Sequence, residues 1–153
     1  MGTVYAVIGA ALAATLAGIG SSFGVQAAGK AAAGVTAEKP ELFSKLFVLQ
    51  LLPATQGIYG LISAIIILIK SGILGGGAPI TKEYGLVMLF ASLPIAIVGL
   101  FSGIYQGKTA AAAILMTSKQ PDSQTKGIQM TAVVETYAIF ALVTTIIIVL
   151  MAK

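Results

Sequence analysis

The chain has 153 residues, 58% of them hydrophobic, with a mean hydropathy of +1.00 and only 9% charged residues; a soluble domain carries about 25% charge. Its net charge of +4 comes from nine lysines without an arginine, and it has neither cysteine nor histidine. Disulfides, thiolate metal sites and the commonest catalytic base are thereby excluded, and nearly all of the mass must lie in membrane spans.

The first segment begins MGTVYAVIGA. It lacks the basic n-region of a cleaved signal peptide, and Ala6 departs from the myristoylation pattern. Four apolar stretches follow, at about 4–35, 42–69, 85–116 and 127–151. Each reaches the roughly 20 residues needed to cross hydrocarbon. The first and third exceed it, since 30 helical residues extend about 45 Å; they should tilt or protrude. Open strands would leave edge backbone groups unpaired in lipid, so all four are expected to be helices. AEKPE around Pro40, SGILGGGAPITKEY after the second stretch and SKQPDSQ around Pro121 form the breaks. The lysines fit loop anchoring and lipid-surface contact. A nucleic-acid surface is not expected, because no basic stripe is interleaved with aromatics.

The two halves align without a gap at an offset of 81 (121 − 40, from the loop prolines). Ala10 falls on Ala91, Gly18 on Gly99, Ser21 on Ser102, Thr36 on Thr117, Lys45 on Lys126, Thr55 on Thr136 and Leu61 on Leu142. Chance apolar matches would not also pair prolines, lysines and glycines. The reading is a duplicated helical hairpin, residues 1–79 and 80–153, with the two copies parallel because each has an even number of spans. Lys30, Lys39, Lys45, Lys108, Lys119 and Lys126 cluster at the hairpin loops, whereas Lys70, Lys82 and Lys153 lie opposite. Six against three places the loops in the cytoplasm and both termini outside. Lys30 and Lys108 read as solvated or snorkelling ends, and Lys82 and Glu83 as plain surface charge.

Span three carries Gly99, Gly103, Gly107 and Ala111 at four-residue spacing; span one carries Gly20, Gly24, Ala28 and Ala32, with Ala14, Gly18 and Ser22 beside them. Such stripes let helix backbones approach closely in lipid. Tight packing within one bundle would use them. So would a closed two-layer ring, with small-residue odd spans at the inner radius and bulky even spans toward lipid. The contrast between odd and even spans favours the ring.

Glu135 is the only ionisable residue well inside an apolar span. A charge there costs at least about 2.5–3.5 kcal/mol, which makes it a candidate functional group with a partner to be named. Thr55 lies 15 residues after Pro40, Glu135 14 after Pro121, and Gln106 15 before Pro121. All three should therefore sit about 21–23 Å from the loop apex. Leu52, Thr55, Gln56 and Tyr59 share one helix face at i, i+3, i+4 and i+7. One acid, with neutral oxygens from Thr55, Gln56 and Gln106, makes an oxygen cage for a small hard cation. Pro53 lacks an N–H and frees the Leu49 carbonyl, so a backbone oxygen of Leu49 or Leu52 could join the cage. Tyr59 is placed to donate its hydroxyl to Glu135. The plainer readings are a structural buried acid bonded to Tyr59, and glutamines acting as interhelical glue without an ion. In repeat one Ala54 takes the place of Glu135, so four spans share one acid.

QLLPATQGIYG at 50–60, LFSGIYQGK at 100–108 and VVETYAIFALV at 133–143 resemble the proteolipid (K, or c) subunits of V-type and archaeal-type rotary ATPases. The resemblance spans essentially the whole chain and is greatest to the bacterial sodium-translocating V-type proteolipid. It implies an all-α membrane protein that assembles with identical subunits into a rotor ring. It implies sodium carried at Leu52 (by its carbonyl), Thr55, Gln56, Gln106 and Glu135, with Tyr59 bonding the carboxylate. Lithium, another small hard cation, is a second candidate for the cage. The implied partners are a stator subunit presenting an arginine, a central-stalk subunit on the cytoplasmic side, and lipid, in a cell membrane. ATP chemistry is assigned to other subunits: GLFSG and the GGG run lack the GK[ST] ending of a phosphate loop, and neither a catalytic nor a cofactor-binding residue is expected. The alternatives are the same rotor carrying protons, a stand-alone channel or transporter, and a purely structural oligomer.

Overall fold

The computed structural model describes residues 1–152, and Lys153, one of the three lysines assigned to the far side, lies outside the described residues. Among these residues every regular element is helical. Span one is α1 (Gly2–Glu38). Span two is divided into α2 (Phe43–Leu51) and α3 (Thr55–Lys70). Span three is α4 (Lys82–Lys119), and span four is α5 (Gln124–Met151). All four are long and apolar enough to cross a membrane. The helices outrun the apolar stretches by a few residues at the loop side, where backbone bonding continues past the hydrophobic pattern.

The duplication is visible in the backbone. Both hairpins turn at a residue preceding proline, Lys39 with φ −136° and ψ 71°, and Gln120 with φ −137° and ψ 88°. Proline denies its predecessor the helical region, so each helix stops there. Each N–H at the stop returns to the fourth carbonyl back, Lys39 to Val35 at 2.8 Å and Gln120 to Met116 at 2.9 Å. A short 3₁₀ turn then opens the next span at Pro40–Leu42 and Pro121–Ser123.

The two loops lie together at one end, as parallel repeats require. Lys39 Nζ donates to the Ser118 carbonyl at 2.5 Å, Lys45 Nζ to the Pro121 carbonyl at 3.0 Å, and Gln124 Nε2 to the Lys45 carbonyl at 3.1 Å. Lysines read from sequence as topology signals therefore also tie one hairpin to the other. At the opposite end Gly72, Gly75 and Gly76 take positive φ in the loop between the hairpins, which only glycine adopts without strain. The Thr81 hydroxyl caps α4 by accepting the Tyr84 N–H at 3.2 Å.

Spans one and three meet backbone to backbone. A methyl group on Gly103 would lie 2.6 Å from the Gly20 carbonyl carbon and 2.8 Å from the Ser21 nitrogen. One on Gly107 would overlap Gly24, and one on Gly24 would lie 2.7 Å from Pro53 Cβ. Gly20, Gly24, Gly103 and Gly107 thus carry the close approach of α1 and α4 within the chain. Gly18 and Gly34 meet nothing within 4 Å.

The two prolines inside spans act differently. α4 runs unbroken through Pro94, whereas Leu52–Ala54 around Pro53 tightens into a 3₁₀ turn that separates α2 from α3. Apolar clusters sit on either side of that level. Ala28, Leu46, Leu49, Ala110 and Ile114 fill the loop end, and Ala6, Ile67, Met88 and Val149 the other.

Because Gly107 has no room for a side chain, Gly107→Val should cost at least about 1–3 kcal/mol of packing and sharply lower the yield of folded protein in detergent. Gly34→Ala, at an open position, should leave the yield unchanged. Equal yields from the two variants would contradict the close approach of α1 and α4.

Candidate functional site

The break at Pro53 decides where the site forms. Proline cannot supply the N–H that would bond the Leu49 carbonyl, and the turn tightens so that Thr55 reaches back to Leu52. Thr55 Oγ1 donates to the Leu52 carbonyl at 3.1 Å and lies 3.4 Å from Gln56 Oε1. Three oxygens of span two are thereby gathered at one turn: a carbonyl, a hydroxyl and an amide oxygen.

From that turn a chain of side-chain hydrogen bonds crosses to spans three and four. Gln56 Nε2 donates to Gln106 Oε1 at 2.5 Å. Gln106 Nε2 donates to Glu135 Oε2 at 3.2 Å and to the Thr131 carbonyl at 3.3 Å. Tyr59 donates its hydroxyl to the other carboxylate oxygen, Glu135 Oε1. Gln56 and Gln106 are completely buried, while Tyr59 and Glu135 are half-buried on the chain's outer flank. Each amide buried in an apolar interior must find partners or cost several kcal/mol; here each does, and Gln106, itself held by Gln56, donates to the acid.

Of the three residues counted from the prolines, Gln106 and Glu135 meet directly, and Thr55 lies on the turn beside Gln56. Gln56, Tyr59, Gln106 and Glu135 join in one network. The Thr55 hydroxyl turns back on its own helix to the Leu52 carbonyl and lies beside Gln56, so Leu52 and Thr55 adjoin the network without bonding the acid. Leu49, whose carbonyl is the alternative backbone ligand, is fully buried within the apolar cluster at the loop end. Leu52, partly buried at the edge of that cluster, has the carbonyl that accepts the Thr55 hydroxyl.

Three partners were not anticipated. Ser102 accepts from Gln56 Nε2 at 3.1 Å and donates to the Val134 carbonyl at 3.1 Å. The Thr131 carbonyl holds the second Gln106 hydrogen. Ser21, the repeat-one counterpart of Ser102, accepts the Gly57 N–H at 2.7 Å. The sequence did carry a signal for the serines, since they pair across the 81-residue offset. The backbone carbonyls had none.

The arrangement places one acid between two neutral donors, beside a cluster of uncharged oxygens, inside an apolar layer. Among the described residues the acids form no group that could hold a multivalent metal. One carboxylate with neutral oxygens suits a single positive charge.

The family profile for the C subunit of ATP synthase matches residues 8–67 and again residues 89–148. Both limits are displaced by 81 (89 − 8 and 148 − 67), the offset of the internal repeat. The chain is 48% identical over 151 residues to the V-type sodium ATPase subunit K of Enterococcus hirae, covering 99% of this chain and 94% of that one. It is 42% identical over 149 residues to the A-type ATP synthase subunit K of Methanocaldococcus jannaschii, covering 97% and 64%. The 16 kDa proteolipid of the V-type proton ATPase of Bos taurus is 26% identical over 117 residues, covering 76% and 72%.

A carbodiimide that attacks carboxyl groups from the lipid phase should modify this chain once, at Glu135. Mass spectrometry of the peptide should locate the adduct there, and Glu135→Gln should abolish it. An adduct on Glu38, Glu41, Glu83 or Asp122 that survived this substitution would contradict the placement of Glu135 as the only acid within the membrane.

Proposed function

From the premise that the chain belongs to the ATP synthase C-subunit family, as a duplicated proteolipid, we propose that it is the rotor-ring subunit of a V-type ATPase carrying sodium at Glu135. The hairpins divide at residues 79 and 80, within the loop that joins α3 to α4. The observation that carries the reading is the Glu135 carboxylate held by Tyr59 and Gln106 beside the oxygens of Leu52, Thr55 and Gln56. Protonation alone needs no such cluster; a sodium ion, stripped of water, does. The greater likeness to the sodium relative than to the proton relatives supports the same choice.

In this reading sodium replaces hydrogen-bond donors as the counter-charge of the acid. The bound pair is neutral and can pass hydrocarbon as the ring turns, which an ionised and empty Glu135 could not. A stator arginine, which this chain lacks, displaces the ion. A central stalk on the cytoplasmic side couples rotation to ATP chemistry performed by other subunits. The loops tied by Lys39 and Lys45 face the cytoplasm.

The ring has support in the chain itself. Leu52, Gln56 and Tyr59 of span two pack toward spans three and four, with Gln56 at 0% exposure. Their repeat partners on span four, Val133, Tyr137 and Phe140, are 63%, 64% and 66% exposed. One face is thus covered in the first hairpin and bare in the second. A second copy, seated as the second hairpin sits on the first, covers it. Such head-to-tail contacts close into rings.

Sodium at fixed alkaline pH should protect Glu135 from carbodiimide in the assembled enzyme, and Thr55→Ala or Gln106→Leu should raise the concentration needed by about tenfold or more. Protection by acid alone would contradict sodium and leave the proton rotor. Since the chain has no cysteine, a chain with Ala54→Cys and Phe140→Cys should be linked into a ladder of multimers by a short bismaleimide. Phe47→Cys with Phe140→Cys, two turns out of register, should not. The reverse pattern would contradict head-to-tail seating.

A further inference from the structure

The hydroxyls of this bundle mostly turn back on their own helices. Ser63 bonds the Tyr59 carbonyl, Ser92 that of Leu89, Thr117 that of Ala113 and Thr131 that of Gly127. Ser102 breaks the pattern. It is buried at 6% exposure, and its O–H crosses to span four, to the Val134 carbonyl at 3.1 Å, one residue before Glu135. Its oxygen accepts from Gln56 Nε2 at 3.1 Å.

The Gln56 amide has two hydrogens, and both are committed, one to Ser102 Oγ and the other to Gln106 Oε1. Its oxygen is therefore turned the other way, 3.4 Å from Thr55 Oγ1, the hydroxyl that donates to the Leu52 carbonyl. An amide offers oxygen at one end and N–H at the other, and only the oxygen end can ligate a cation. Without Ser102 the amide loses one of the two acceptors that fix which end faces the oxygen cluster. Ser21, at the equivalent place in the first hairpin, accepts the N–H of Gly57 at 2.7 Å, so two serines hold the Gln56–Gly57 segment, one by side chain and one by backbone.

We propose that Ser102 is a positioning residue for cargo selectivity: it turns the oxygen of Gln56 toward the cation and ties that amide to the backbone beside Glu135. The inference rests on the sodium reading of the same site. Ser102 touches no ion itself. It raises sodium affinity and leaves protonation of Glu135 as it is, because neither of its hydrogen bonds ends on the carboxylate.

The test uses membranes holding the assembled enzyme, with Ser102→Ala and Ser102→Thr. Two quantities are read: the sodium concentration that half-protects Glu135 from carbodiimide at fixed alkaline pH, and the pH profile of modification without sodium. Loss of one buried hydrogen bond should raise the first by about tenfold in Ser102→Ala and leave the second unchanged. Ser102→Thr, which keeps the hydroxyl, should return sodium protection to near the unaltered value. The inference is overturned if Ser102→Ala is protected at the unaltered sodium concentration, if both quantities move together, or if Ser102→Thr is as impaired as Ser102→Ala. Should Ser102→Ala yield no ring, Ser102→Cys keeps the size, weakens both bonds and carries the same comparison. Absence of sodium protection in the unaltered enzyme would sink the sodium reading and this inference with it; protection there, with an indifferent Ser102→Ala, would sink this inference alone.

Discussion

A carboxylate in hydrocarbon must have its charge met by something within reach, and the structure is organised around meeting it at Glu135. Tyr59 and Gln106 each give a hydrogen bond to one of its two oxygens. The amide of Gln106 is in turn fixed by Gln56 and by the Thr131 carbonyl. Each member of this chain is polar, buried or half-buried, and bonded. In an apolar layer, where a missing partner costs several kcal/mol, that completeness lets one geometry persist.

The rest of the fold serves the same point. Glycines at 20, 24, 103 and 107 bring α1 and α4 into backbone contact. That contact sets the distance from which Ser102 and Gln106 reach spans two and four. The 3₁₀ turn at Leu52–Ala54 supplies the oxygens of span two at the depth of the acid. Its counterpart in span four is absent: Val134 stands where Pro53 stands in span two, and α5 is continuous. Duplication followed by divergence thus gave one hairpin the acid and the other the broken helix. The site lies where they meet.

The spans, the duplication and the meeting of Gln106 with Glu135 were legible because each rests on a one-dimensional quantity: apolar run length, a fixed offset of 81, and a count of residues from a proline. The mirror-like stops at Lys39 and Gln120 follow from the prolines beside them. What sequence could not settle depends on orientation. Thr55 shares a helix face with Gln56 and Tyr59, yet its hydroxyl donates to the Leu52 carbonyl one turn back. The glycine stripes fitted both intrachain and intersubunit packing by spacing alone; the backbone contacts of α1 with α4 account for Gly20, Gly24, Gly103 and Gly107 within the chain. Ser102 carried a repeat signal with no chemistry attached until Gln56 was seen to bond it.

The most direct test of the central claim is a high-resolution density map of the assembled ring prepared with and without sodium. The account predicts density for one ion among Glu135, Gln106, Gln56, Thr55 and the Leu52 carbonyl in sodium, and its disappearance on exchange into sodium-free buffer. An identical, ion-free network in both preparations, with Glu135 held only by Tyr59 and Gln106, would contradict it.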